Sequence, residues 1–118
     1  GEGGGVLAEL AAELQQLIDR QATPVTVGHA WARRDAGLCL RWLYLETAAL
    51  IRSRLAGTAH NAGFKPLKIP GTTVNMTACC AHLDQIREAQ RLKDRSLNMD
   101  AVFADLLMWW YGAAGAAR

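Results

Sequence analysis

Leu7, Leu10, Leu14, Leu17 and Ile18 fall at steps of three and four, with Glu9, Glu13, Gln16 and Arg20 between them. That spacing predicts a one-sided helix over residues 6–21, with Glu9 and Glu13 on its wet face. Thr23 followed by Pro24 predicts a second start. A threonine oxygen can cap free amides, and proline at the first helical position loses no hydrogen bond. The short helix that follows carries Val27 and Trp31 and is expected to end near Asp35. A third helix, about residues 36–56, has only Arg41, Glu46 and Thr47 as strongly polar positions from Ala36 to Ile51. Such a helix is expected to touch neighbours on two or three sides.

Gly57 stops this helix, and Gly63, Pro66, Pro70 and Gly71 mark residues 57–72 as a loop. The fourth helix is expected to be capped by Asn75 and to run to about Asp94, with a narrow stripe of Met76, Cys79 or Cys80, Leu83 and Ile86. Asp84, Arg87, Glu88 and Arg91 can pair across its wet face. Asn98 then caps a fifth helix, with Asp100 in its first turn, where an acidic group suits the positive end of the helix dipole. After Asp100 the only polar side chain before Gly112 is Asp105. A helix apolar nearly all round needs cover on several sides, and this one points towards assembly with other chains.

Composition places these elements in one class. The 118 residues are 51% hydrophobic and 20% charged, and the apolar set is leucine and alanine rather than β-branched or aromatic. An all-α fold follows, a single helical bundle of about five helices over residues 6–111. The opening GEGGG, residues 1–5, is expected to be a linker or an added remnant, and GAAGAAR, residues 112–118, a flexible tail. The chain does not start with Met and is expected to be a piece of a longer protein. No basic stretch leads into an apolar run at the start, so no signal peptide is expected. The stretch Leu38–Ile51 is too short for a bilayer and contains Arg41 and Glu46, so no membrane contact is expected. Three cysteines, Cys39, Cys79 and Cys80, are an odd number and suit a reducing, cytoplasmic location.

Candidate chemistry is sparse. Cys79, Cys80 and His82 lie close together, but a structural zinc site takes four ligands, and His29 and His60 stand alone. No metal site is expected, and Cys79 and Cys80 are read as small buried hydrophobes. The opening glycines lack the Lys and Ser or Thr of a phosphate loop, and no pair of carboxylates suggests acid–base work. No catalytic residue and no cofactor is expected. Four tryptophans are the remaining signal. Trp42 is read as core. Trp109 and Trp110, as helix neighbours, point about 100° apart, so one of them is expected to face a partner. Trp31, Trp109, Trp110 and Tyr111 form the candidate subunit interface. Residues 33–68 hold seven basic side chains against two acidic ones. Arg33, Arg34, Arg52, Arg54, Lys65 and Lys68 therefore form a candidate basic surface, and nucleic-acid binding is the alternative function.

The segment RWLYLETAALIRSRLAG, then a loop of about fifteen residues, then HLDQIREAQRLKDRSLNMDAVFADLLMWW, resembles the C-terminal domain of bacterial DNA polymerase III delta prime subunits. The features that carry the resemblance are Trp42 and Leu43, Arg54 and Leu55, Ile86 to Glu88, Asn98, and Asp105 to Leu107. It extends over about residues 7–111. The resemblance implies an all-helical collar domain of a clamp loader, in which subunits join through their C-terminal domains and AAA+ modules elsewhere handle ATP. The implied partners are the other clamp-loader subunits, gamma or tau and delta. DNA and the sliding clamp would be reached only through the full complex, during DNA replication. The loop with Lys65, Pro66 and Pro70 matches no element of that family.

Overall fold

The structure, a computed structural model, describes residues 2–56, 75–95 and 98–111. Five α-helices are found there: α1 (Glu2–Ile18), α2 (Pro24–Arg33), α3 (Ala36–Ala56), α4 (Met76–Leu92) and α5 (Met99–Met108). The expected loop 57–72 and tail 112–118 lie outside the described residues.

The leucine spacing of α1 does what it predicts, since Leu10, Leu14, Leu17 and Ile18 are fully buried. Its backbone begins at Glu2, before the expected residue 6. Amides from Val6 onward need carbonyl acceptors one turn back, and those belong to the stretch expected as a linker. The end is also earlier than expected, because the chain turns left-handed at Arg20, with φ 60°. The amide of Gln21 donates to the Gln16 carbonyl at 2.7 Å and that of Arg20 to the Leu17 carbonyl at 3.1 Å. This pair of bonds closes a helix C-terminus, usually with glycine at the left-handed position. Here the Arg20 guanidinium lies 5.3 Å from the centre of the Tyr111 ring, which ties this turn to the one that follows α5.

The three predicted caps form. Thr23 accepts from the Thr26 amide, Asn75 from Ala78 and Asn98 from Ala101, at 3.2, 3.0 and 3.1 Å. α2 ends at Arg33 with Arg34 as its C-cap, next to Asp35 as expected, and Asp35 itself serves the helix that follows. Its carboxylate accepts from the Leu38 amide at 3.1 Å and so opens α3. On α4 the buried positions are Cys79, His82, Ile86 and Ala89. They follow a 3-4-3 rhythm in which His82, not the expected Leu83, occupies the centre of the stripe, and Cys80 is exposed.

α5 is covered from inside its own chain. Phe103, Leu106 and Leu107 are buried, as is Trp110 in the turn beyond, and Met108 stays exposed. The cover comes chiefly from α2, which runs against α5 so closely that Gly28 touches backbone. A Cβ at Gly28 would stand 2.9 Å from the Ala104 nitrogen and 3.3 Å from the Asp100 carbonyl oxygen. The apolar closing helix therefore does not require a second chain, contrary to the expectation drawn from its sequence.

Candidate interface

Trp31 and Trp110 are fully buried, which removes both from the candidate subunit interface. The reason is polar as much as apolar. A buried indole N–H needs an acceptor, and each of these has one within the chain. Trp31 Nε1 donates to Glu13 at 2.9 Å, and its ring meets Trp42 and Phe103 edge to face at 6.0 and 5.8 Å. Trp110 Nε1 donates to His82 Nε2 at 2.9 Å. Trp109 lies flat on the His82 ring at 4.4 Å between centroids, half-buried, as is Tyr111. Of the four aromatic candidates, these two keep some surface.

His82 is held in one form by this arrangement. Accepting from Trp110 leaves Nε2 without a proton, so the neutral ring carries its hydrogen on Nδ1, which faces Gln85 Oε1 at 3.4 Å. Burial pushes its pKa down to about 4. Its free nitrogen is thus spent on the indole, and no group of three His, Cys, Asp or Glu that could hold a metal is found among the described residues. The Cys39 thiol, also buried, is pushed up to about 11 by desolvation, which keeps it protonated and a poor nucleophile.

The candidate basic surface is divided. Arg34 grips Glu13 through two bonds, at 2.8 and 2.9 Å, and reaches Glu9 at 3.4 Å. Glu13, expected on the wet face of α1, is instead the acceptor that joins α1 to Trp31 and Arg34. Arg33 pairs with Asp100 at 2.8 Å, and His29 Nδ1 meets the other Asp100 oxygen at 2.8 Å. Hydrogen bonds from Arg33 and His29 hold the Asp100 carboxyl below its usual pKa. This exposed clamp ties the first turn of α5 to α2. Arg52 is exposed, whereas the side chain of Arg54, and Lys65 and Lys68 entirely, lie outside the described residues.

One surface stands apart from these internally matched groups. Leu38, Arg41, Leu45, Ala48, Arg52 and Leu55 follow a 3-4-3-4-3 spacing along α3, which places them within an arc of about 100°. All but half-buried Ala48 are exposed, and the three leucines keep 38%, 51% and 75% of their surface open. The opposite side of α3, with Cys39, Leu40, Trp42, Leu43 and Leu50, forms the centre of the core. Thr47 and Ser53, buried beside them, donate back to the Leu43 and Leu50 carbonyls at 2.8 Å each. The leucine stripe escaped prediction because apolar residues stand on every side of α3, and on its outside Arg41 and Arg52 are interleaved with leucines instead of forming a polar face. Its only trace in the sequence is the heptad-like spacing of Leu38, Leu45 and Leu55 around two arginines.

Together the fold and this surface define a five-helix all-α domain with one helix exposing leucine along its length. No helix among the described residues is long and apolar enough to cross a membrane. No family model, curated protein or solved structure matches the chain.

Proposed function

We propose that this chain is a non-catalytic subunit-assembly domain of the clamp-loader collar type, similar to the C-terminal part of a delta prime subunit. The observation that carries the proposal is the exposed leucine stripe of α3, because α3 is also the helix that bears the RWLYLETAALIRSRLAG resemblance. A domain that leaves Leu45 and Leu55 this open along one line presents the kind of surface that partners cover. The implied partners are the gamma or tau and delta subunits, with DNA and the sliding clamp reached only through the assembled loader. No cofactor enters this reading. Nucleic-acid contact through the basic middle has less support, since Arg33 and Arg34 already bind Asp100, Glu13 and Glu9.

Size-exclusion chromatography of the full-length parent with purified gamma or tau and delta subunits tests the proposal. Co-elution at micromolar concentration that survives a rise in salt is the expected result. Absence of any complex would remove the clamp-loader reading. Steeply salt-dependent binding to DNA by the isolated chain would favour the alternative, because phosphate contacts release counterions.

A further inference from the structure

We infer that the outer face of α3 takes an acidic amphipathic helix from a different polypeptide, not a second copy of this chain. The inference rests on the assembly reading for its setting and on charge for its content. α3 contains one acidic residue, Glu46, and that residue is 2% exposed. The charged groups that α3 shows along the stripe are therefore the cations Arg41 and Arg52, set between Leu38, Leu45 and Leu55. On the flank, α4 lays Arg87 over the Tyr44 ring at 5.7 Å, and Glu88 of α4 is already bound by Arg91. A helix seated here meets leucine at both ends and near the middle, with a guanidinium between each pair.

Self-docking along the full length of the stripe fails on that pattern. A second copy crossing antiparallel about a two-fold axis would set Leu38 against Leu55 and Arg41 against Arg52, with the clash repeated by symmetry. A parallel crossing would set each arginine against itself. Like charges enclosed in an apolar seam are costly, and arrangements of this kind exclude wrong partners. A partner with leucines in register and Glu or Asp facing Arg41 and Arg52 turns the same charges into bidentate bonds. The six positions span 17 residues of rise, about 25 Å, so roughly five turns of partner helix can engage.

Two labelled synthetic helices probe this directly by fluorescence anisotropy against the purified chain. Both carry leucine at the seam positions, and one has Glu, the other Lys, at the positions facing Arg41 and Arg52. The Glu peptide is expected to bind at least about tenfold tighter than the Lys peptide. The doubly substituted chain Arg41→Glu/Arg52→Glu should reverse the order, and Leu45→Glu should abolish binding with the circular dichroism spectrum unchanged. Leu55→Glu, at the most open leucine, serves the same purpose if Leu45→Glu fails to fold. Equal affinity for both peptides, no binding at 100 µM peptide, or a homodimer in sedimentation equilibrium that Leu45→Glu dissolves would each overturn the inference. Peptide selectivity without co-elution of clamp-loader subunits would leave it standing and remove only the family reading.

Discussion

The junction of α2, α4 and α5 and the outer face of α3 are both built from large apolar side chains, yet one is closed and the other open. At the junction every tryptophan N–H that is fully buried has found an acceptor in the chain, Glu13 for Trp31 and His82 for Trp110. Along α3 the exposed leucines have no polar end to anchor, and among the described residues they stay open at 38%, 51% and 75%. A tryptophan with an internal acceptor belongs to the core however much it resembles a binding residue. The interface is better sought among apolar side chains left in the open.

Truncation at the centre of the closed region should separate the two most sharply. Trp110→Ala removes a fully buried ring and leaves His82 Nε2 without its donor, and is expected to cost about 3–5 kcal/mol. That is a large share of the stability of a domain this size, and urea denaturation will read it as a shifted midpoint. Trp109→Ala, which removes a half-buried ring stacked on His82, should cost clearly less. Equal losses at the two positions would show that the stack, not the hydrogen bond, organises the junction.

Acid should loosen the same region before it touches anything else. His82 titrates near 4 when folded and near the ordinary 6.5 when unfolded, so the unfolded chain binds the proton more readily between those values. Stability is therefore full above about pH 6.5 and falls progressively as pH drops towards 4, by roughly 2 kcal/mol at pH 5. Thermal unfolding at pH 7 and pH 5 measures this. The Asp100 clamp behaves with a lower window: its carboxyl is held below the usual range, so its contribution persists above that range and is lost as pH falls through its own pKa. A flat profile from pH 7 to 5 would mean that His82 is not enclosed as the structure has it.

A smaller effect is expected at Gly28, where α2 lies close against the backbone of α5. Gly28→Ala puts a methyl 2.9 Å from the Ala104 nitrogen, and the neighbour is main chain that cannot swing away. Overpacking of this kind costs about 1–3 kcal/mol, offset by about 1 kcal/mol of better helix propensity. The net loss should appear as a lower melting temperature. A gain in stability would mean that the two helices separate freely, and that the junction is looser than its buried side chains suggest.

Helices and caps were legible because each rests on local chemistry: the 3-4 spacing of leucines in α1, the oxygens of Thr23, Asn75 and Asn98, and the proline at position 24. Ends were less so. The left-handed turn at Arg20 is accompanied by a contact to Tyr111 that forms only after the helices meet. Two of the candidate interface residues, Trp31 and Trp110, were misread because burial depends on packing. Trp31 and Trp110 carry binding chemistry in any sequence, and only packing decides whether Glu13 and His82 satisfy them first. Gly28 shows no sign in a helical stretch that it marks a close crossing. α3 hides its outside because leucine stands on all its faces, so periodicity gives no direction.

The smallest expected change is at α3, and its smallness is the point. Leu45→Gln replaces a leucine that is 51% exposed with a polar side chain of similar length on the open face of α3. Substitutions of this kind usually fall within about 0.5 kcal/mol. The melting temperature should therefore stay close to that of the parent chain while Gly28→Ala lowers it, although both positions lie in helices. If Leu45→Gln destabilises the chain as much as Gly28→Ala does, Leu45 is packed in solution and the stripe is part of the core. An unchanged fold leaves Leu38, Leu45 and Leu55 as apolar surface kept open at no benefit to the chain's own stability, which is the condition a binding face has to meet.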